Sequence, residues 1–190
     1  MKKIIFFAAV MLSVCIANAQ TSFQLGFMTT SEKQDLIIGD LSDNFSGFTV
    51  GYDNNINLAG DLNVAPGLTM AFSLDNDNDE KYKEFNLMIP VDFNYGFQLG
   101  NAIKLYLFAG PTIDFGLMAK DGDDNYYDSD FQLMKRFNVL LGGGAWVDIN
   151  DLIRIKAGYK VGMLDVKGDD IIGVDSWKKN RFNISVGYIF

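Results

Sequence analysis

Residues 62–74 read LNVAPGLTMAFSL, and apolar side chains occupy every second position of this stretch. One face carries Leu62, Val64, Pro66, Leu68, Met70, Phe72 and Leu74, and the other carries Asn63, Ala65, Gly67, Thr69, Ala71 and Ser73. Successive side chains of a β-strand point to opposite sides, so this alternation predicts a strand with one apolar and one small or polar face.

The same alternation recurs in seven further segments, and no stretch after residue 19 has a convincing helical period. The eight segments are 22–28, 45–53, 62–74, 84–97, 103–117, 137–149, 153–163 and 181–190. Tilted strands that cross a bilayer need about 9–11 residues, which fits segments of this size. Pro66, Pro90 and Pro111 cannot donate to a strand ladder, so each is expected at a bulge or near a strand end.

Short and long connections alternate between these segments. The tightest short ones are 98–101 and 150–152. The long, polar ones are 29–44, 75–83, 118–136 and 164–180. Bacterial outer-membrane barrels have short periplasmic turns and longer outer loops. The alternation therefore predicts an up-and-down barrel with both termini on the periplasmic side.

Residues 1–19 have the pattern of a secretory signal. Lys2 and Lys3 precede an apolar run over 4–16, and 17–19 is the small-residue cleavage pattern Ala-Asn-Ala. We therefore expect a signal peptide at 1–19 and a barrel domain at 20–190. Cys15 is either an apolar residue of this signal or a lipidation site, although Val14 departs from the small residue that lipidation usually requires.

Charge and composition exclude several functions. The formal net charge is −8, and residues 20–190, without Lys2 and Lys3, carry 14 basic and 24 acidic side chains, a net charge of −10. A nucleic-acid partner requires a basic surface, so no such partner is expected. The chain has no histidine, which removes the commonest general base. We expect no catalytic residue and no cofactor.

The polar face of the segments carries charges of both signs, and the apolar face carries almost none. The predicted interior charges are Asp53, Glu84, Asp92, Lys104, Asp114, Asp148, Arg154, Lys156 and Lys160. Aromatic residues near the ends of the apolar face suit interfacial girdles, and ring closure leaves no unpaired strand edge in lipid. The sequence thus predicts a closed eight-stranded antiparallel transmembrane β-barrel in the cell outer membrane, in contact with its lipid. An exported soluble β-barrel that binds a small ligand would instead expose the polar face.

The last strand ends with Tyr188, Ile189 and Phe190. This ending resembles the C-terminal signal that the outer-membrane assembly machinery recognises, although Ser185 stands where the usual pattern has glycine. We therefore expect this machinery to be a partner, with Tyr188 and Phe190 as the assembly signal.

Two stretches resemble a known family. FNLMIPV at 85–91 and KLYLFAGP at 104–111 resemble the core of the outer membrane protein beta-barrel domain family, which includes PorT-like proteins. The stretches 141–145 and 185–190 sit where that family has its glycine-rich strand and its last strand. The resemblance implies a small outer-membrane barrel. PorT itself is linked to a protein secretion system, but the family supplies no residue-level functional motif.

The outer loops carry two candidate features. Asp75, Asp77 and Asp79 repeat the opening of a calcium loop, but Glu80 and Asn86 replace the glycine and glutamate of an EF-hand. They either bind Ca²⁺ or Mg²⁺ weakly or form a solvated loop. The aromatic loop residues are Tyr126, Tyr127, Phe131 and Trp177. They either contact a protein partner, lie on lipid headgroups or cover the barrel mouth.

These patterns leave two classes of function. In the first, the barrel has a structural, assembly or partner-binding role without catalysis. In the second, it is a narrow transport or ion-binding barrel. An eight-stranded barrel is only wide enough for its own side chains, so the interior charges are expected to form a structural plug.

Overall fold

The computed structural model describes residues 19–36, 39–74, 82–121, 124–127, 133–169 and 173–190. It contains eight long strands and one strand of two residues. The strands are β1 (Ala19–Leu36), β2 (Gly39–Ala59), β3 (Leu62–Leu74), β4 (Tyr82–Gln98), β5 (Ile103–Asp121), β6 (Asp124–Asn125), β7 (Phe137–Ile149), β8 (Ile153–Gly162) and β9 (Val174–Ile189). The described residues contain no helix long and apolar enough to cross a membrane.

The eight long strands form a closed ring. Neighbours along the chain pair antiparallel, and the ring closes where β1 pairs with β9 from Ser22–Ile189 to Leu36–Val174. The two-residue strand β6 pairs with the end of β5 and takes no place in the ring. The predicted eight-stranded antiparallel up-and-down barrel is confirmed.

Apolar side chains face outward and polar side chains face inward. Phe48 is 64% exposed and Val186 is 56% exposed, whereas Asp92 and Arg154 are fully buried. This is the arrangement expected when lipid is the solvent around the sheet. The alternative of a soluble barrel is wrong, because it requires the apolar side chains to fill the middle.

Four strands extend well beyond their apolar segments. The stretch 29–44, predicted as a long loop, is mostly a hairpin in which β1 and β2 remain paired to Leu36 and Gly39. Strand β9 begins at Val174, well before Arg181, and β5 continues to Asp121. The apolar pattern ends where the lipid ends, but backbone pairing continues with mostly polar residues. This is why the loop prediction was wrong.

Each proline adjoins an interruption of pairing within a strand. Pairing of β2 with β3 skips from Asp53–Gly67 to Ile56–Val64, next to Pro66. The β3–β4 and β4–β5 ladders are interrupted beside Pro90 and Pro111 respectively. The missing N–H of proline accounts for these gaps. The prolines thus lie inside strands, and a position near a strand end was not the correct expectation for them.

The short turns at the periplasmic end have ordinary hairpin chemistry. Asn150 and Asp151 both adopt positive φ, at 53° and 52°, between β7 and β8. The N–H of Leu152 donates to the carbonyl of Ile149 at 3.0 Å and closes the turn. Asn and Asp tolerate this left-handed conformation, which fits a two-residue hairpin turn of the primed type.

Candidate functional site in the barrel interior

The periplasmic half of the interior is organised around Arg154 on β8. Its Nη1 lies 2.7 Å from Asp53 Oδ1 across the barrel, and its Nε lies 2.7 Å from Asp148 Oδ1 on the adjacent strand. The Arg154 side chain is completely buried. Ser22 Oγ also donates to Asp53 Oδ1 at 2.8 Å. The guanidinium of Arg154 therefore neutralises two buried carboxylates inside the barrel.

Two lysines on the same strand continue this network toward the middle. Lys156 Nζ lies 3.0 Å from Asp92 Oδ2 and 3.5 Å from Asp53 Oδ2. Lys160 Nζ lies 2.6 Å from Asp92 Oδ1 and donates to Thr112 Oγ1 at 2.6 Å. The fully buried Asp92 is thus shared by both ammonium groups. We call Asp53, Asp92, Asp148, Arg154, Lys156 and Lys160 the lower network.

An aromatic layer packs against the lower network. The rings of Tyr106 and Trp146 stack with centroids 4.9 Å apart, and Phe108 lies 5.4 Å from Trp146. The Arg154 guanidinium lies 4.7 Å above the Trp146 ring. Lys104, the remaining predicted interior charge of this half, is partly exposed and 5.9 Å from the Tyr106 ring. Tyr106 and Phe108, which interrupt the polar pattern of β5, are therefore interior packing residues.

A second network fills the outer half. Lys179 Nζ lies 2.6 Å from Glu32 Oε1 and 3.2 Å from Glu84 Oε1. Arg181 Nη2 lies 3.1 Å from the same Glu84 oxygen and 2.9 Å from Asp114 Oδ2. We call these five residues the upper network. Burial alone would lower the pKa of Lys179, which lies beyond the lipid-facing rings, but the carboxylates raise it well above its usual range.

Sequence reasoning found Glu84 and Asp114 but missed their partners. Glu32 and Lys179 fell in stretches predicted as loops, and Arg181 was the first residue of the last segment. The alternation of inward and outward positions along the strands indicates these partners, because Glu32 continues the inward row of β1 and Lys179 continues the inward row of β9. Extending the alternation beyond the apolar positions would have identified them.

The interior charges balance. Among the described residues, six acidic and six basic side chains face inward: Glu32, Asp53, Glu84, Asp92, Asp114 and Asp148 against Lys104, Arg154, Lys156, Lys160, Lys179 and Arg181. An unpaired charge in such an enclosed space is costly, whereas paired and hydrogen-bonded charges are tolerated. The interior formed by the described residues therefore carries no formal net charge.

A small cavity separates the two networks. Its volume is about 90 Å³, and its lining includes Met28, Met88, Phe108, Lys160 and Arg181. Such a space holds a few water molecules. Pockets for organic ligands are usually about 300–1,000 Å³, so the cavity is small for a substrate site.

The outer mouth is covered by an aromatic cap. Buried side chains from two loops and from the outer ends of β5 and β9 form the cap cluster, which consists of Ala119, Tyr127, Met134, Val166 and Trp177. Backbone hydrogen bonds join the two loops: Lys135 N donates to Val166 O at 2.8 Å, and Gly168 N donates to Leu133 O at 2.9 Å. The cap is therefore a connected structure above the upper network.

Tyr127 is the innermost contact of the cap. A Cβ atom at Gly116 would lie only 2.0 Å from the Tyr127 hydroxyl, so the glycine provides the space that this hydroxyl occupies. The Arg136 guanidinium lies 4.8 Å from the Tyr127 ring centroid, and its Nη2 donates to the Tyr127 carbonyl at 3.2 Å. Burial raises the pKa of the Tyr127 hydroxyl and keeps it neutral.

Trp177 connects the cap to the upper network, since its Nε1 donates to Glu32 Oε2 at 2.8 Å. Among the three interpretations of the loop aromatics, Tyr127 and Trp177 thus cover the mouth, and Tyr126 packs against the cap cluster. Phe131 lies outside the described residues, as do the metal candidates Asp75, Asp77 and Asp79. Within the described residues, no group of three or more His, Cys, Asp or Glu side chains could hold a metal ion.

The proposed assembly signal lies at the periplasmic end. Tyr188 faces outward and pairs with Phe23 and Ile153 of the adjacent strands. The backbone N–H of Phe190 donates to Thr21 O at 2.9 Å, while its ring is 72% exposed. Both rings are therefore accessible from the side of the barrel.

The chain is similar in fold to solved outer-membrane proteins. Neisserial surface protein A is 15% identical with a TM-score of 0.50, and the match covers 88% of this chain and 97% of that one. Ail of Yersinia pestis, solved with the heparin analogue sucrose octasulfate, is 18% identical with coverages of 91% and 99% and a TM-score of 0.47. The outer membrane enzyme PagL is 12% identical with coverages of 83% and 97% and a TM-score of 0.46.

Sequence comparison places the chain in a family. No curated protein matches the sequence significantly. Residues 6–190, however, match the family described as outer membrane protein beta-barrel domain, which agrees with the family resemblance of the two central strands. The chain is an outer-membrane protein and belongs to the outer membrane protein beta-barrel domain family.

Proposed function

We propose that this chain is a closed, non-catalytic barrel of the outer membrane with a structural, assembly or partner-binding role carried by its outer loops. The observation that carries the proposal is the filled interior. Two ion-pair networks, an aromatic layer and the cap occupy the path that a solute would have to take.

The energetics of the networks favour a plug over a channel. Breaking a buried ion pair by removing one partner costs about 3–5 kcal/mol. An ion crossing the barrel would have to displace Arg154 from two carboxylates and Arg181 from two others. These displacements oppose steady conduction.

The outer loops are the surface on which a partner would act. Removing the six acidic and six basic interior side chains from residues 20–190 leaves 18 acidic and 8 basic ones, of which only Asp61 and Asp151 lie in the periplasmic turns. Eight of these acidic side chains and one of the basic ones lie in the stretches 75–81, 122–123, 128–132 and 170–172, outside the described residues. We propose that the outer loops containing these stretches form a strongly negative surface. Such a surface steers basic partners and repels acidic ones.

The interior carboxylates offer little for catalysis. Asp92 and Asp114 both face the interior and could be considered as an acid pair, but Asp92 is bonded to two lysines and Asp114 to Arg181. With no histidine in the chain, no general base of the usual kind is present. Export through a signal at 1–19 and recognition of Tyr188 and Phe190 by the assembly machinery complete the proposal.

Single-channel recording in planar bilayers tests the closed interior. We expect no steady conductance from the refolded protein. The conductance of the Tyr127→Ala variant, which lacks the innermost contact of the cap, is recorded under the same conditions. The comparison shows how far the cap itself closes the outer end of the barrel. A steady open current from the unmodified protein would reject the proposal in favour of the transport alternative, for which the cavity of about 90 Å³ is the supporting observation.

Extraction from native membranes tests the partner-binding role. We expect a stoichiometric partner to remain bound in mild detergent and to dissociate when salt is raised, because salt screens the attraction of a negative surface for a basic one. Replacing the carboxylates at 75–80 by their amides is expected to weaken the complex. Recovery of the chain alone, under gentle cross-linking, would contradict a partner-binding role.

A further inference from the structure

Four lysines form two like-charged pairs on the outward face of the barrel. Lys83 of β4 lies directly opposite Lys120 of β5, and Lys33 of β1 lies directly opposite Lys178 of β9. All four side chains are exposed. Like charges directly opposite each other on a sheet are destabilising, so a negative group bound between them would stabilise each pair.

Other basic side chains in the described ranges already have partners. The interior bases lie in the two networks or beside Tyr106, Lys135 pairs with Asp169, and Lys167 donates to the carbonyl of Val174. The two lysine pairs have no ion-pair or hydrogen-bond partner within the described part of the chain. They are therefore the positive charges available for a ligand.

The two pairs differ in their surroundings. Next to Lys33, the outward row continues with Asp35, which lies directly opposite Asp40, so carboxylates accompany this pair. Around Lys83 and Lys120 the described outward neighbours are Leu74, Phe85, Met118 and Asn125, none of them charged. A negative group for Lys83 and Lys120 must therefore come from outside these neighbouring positions.

The height of the Lys83–Lys120 pair identifies the source of that group. Phe27, Phe48, Phe72 and Phe85 lie opposite one another on β1 to β4 and form an outer aromatic row. Lys83 lies two residues beyond Phe85, whose ring stacks on Phe72 with centroids 4.4 Å apart. Two residues of a tilted strand rise about 5 Å above this row. The headgroup layer on each side of a bilayer is roughly 5–7 Å thick, so the ammonium groups lie at the level of lipid phosphates. Lys178, in contrast, lies four residues beyond the outward ring of Phe182 and therefore about 10 Å above it, which is farther than the headgroup layer extends.

We propose that Lys83 and Lys120 form a binding site for the phosphate of a phosphorylated lipid in the outer leaflet. Directly opposed Cβ atoms on neighbouring strands are about 5 Å apart, so both ammonium groups can reach one phosphate. Lysine is a well-established point-charge ligand for phosphate. The acyl chains of the same lipid lie against Phe85 and Phe72, which continue the outward face below the pair.

The proposal predicts a specific loss of lipid affinity. Native mass spectrometry of the refolded protein in detergent, titrated with bisphosphorylated lipid A, measures the dissociation constant. We expect the Lys83→Gln, Lys120→Gln double variant to bind about twenty- to thirtyfold more weakly, because each lysine near an anionic lipid surface strengthens binding about fivefold. The matched control is the Lys33→Gln, Lys178→Gln double variant, which removes the same charge and is expected to bind as the parent does.

Three further measurements separate the possible ligands. Lipid A without phosphates is expected to bind the parent as weakly as phosphorylated lipid A binds the Lys83→Gln, Lys120→Gln variant. Inorganic phosphate at millimolar concentration is expected not to displace the lipid; displacement would assign the site to free phosphate and overturn the proposal. Equal losses in the two double variants would reduce the effect to general surface charge and would also overturn it.

Folding is monitored in the same samples. The Lys83→Gln, Lys120→Gln variant relieves a like-charge repulsion and is expected to be at least as stable as the parent in phosphatidylcholine alone. The parent, but not the variant, is expected to gain thermal stability when lipid A is added. A variant that gains as much as the parent would contradict a site at these two lysines.

Discussion

Replacing Arg154 by Met tests whether the lower network holds the barrel together. Arg154 is fully buried, and its guanidinium lies 2.7 Å from a carboxylate oxygen of Asp53 and 2.7 Å from one of Asp148. Methionine has a similar length but no charge, so both carboxylates would remain buried without this partner. Removing one member of a buried ion pair costs about 3–5 kcal/mol, and we expect the free energy of unfolding to fall by about that amount.

The measurement is urea unfolding of the protein in lipid vesicles, followed by tryptophan fluorescence and by the heat-dependent mobility of the folded form on gels. The control is Lys33→Met, which removes an exposed lysine without an ion-pair partner in the described residues and is expected to change stability by less than about 0.5 kcal/mol. Both variants lose one positive charge, so their comparison separates burial from net charge.

A triple variant distinguishes unpaired charge from lost packing. Combining Arg154→Met with Asp53→Asn and Asp148→Asn removes both carboxylates that lose their arginine partner in the single variant, while Asp92 remains to pair with Lys156 and Lys160. We expect it to regain a large part of the stability, because replacing all members of a buried ionic group is far less costly than removing one. A loss below about 1 kcal/mol for Arg154→Met, or no recovery in the triple variant, would refute this reasoning.

Two further predictions concern the cap and the C-terminus. Gly116→Ala is expected to displace the Tyr127 hydroxyl and to increase hydroxyl-radical labelling of Trp177, read by mass spectrometry, whereas Gly96→Ala at the periplasmic end should leave this labelling unchanged. Phe190→Ala is expected to reduce the assembled fraction in cells several-fold but to leave refolded stability within about 1 kcal/mol, since the ring is largely exposed. A refolded Phe190→Ala variant that is as strongly impaired as the variant in cells would contradict a recognition role for Phe190.

The strands could be predicted from the sequence wherever lipid contacts them. In residues 62–74 and 84–97 the outward positions must be apolar, so the alternation is visible and the strands were predicted nearly to their ends. In residues 29–44 the outward positions lie above the lipid and are polar. The alternation is then between two kinds of polar residue, and hydropathy does not reveal it.

The predicted site depended on the same rule. Asp53, Asp92 and Arg154 alternate with lipid-facing residues, so the sequence alone predicts them as interior charges. Glu32 and Lys179 lie on strand extensions above the lipid and were missed. The contact between Tyr127 and Gly116 joins a loop to a strand and depends on how the loop folds back, which no local periodicity reports.

The interior ion pairs also account for the register of the barrel. A slip of one residue between two strands moves every side chain to the opposite face, so register must be specified strongly. Lipid specifies only that outward residues are apolar, and many outward residues are interchangeable in that respect. Arg154 joins β8 to β2, and Arg181 joins β9 to β4 and β5, across the barrel rather than between neighbours alone. Because such pairs form in one stagger of the whole ring, charged residues that add little net stability select a single arrangement of the eight strands.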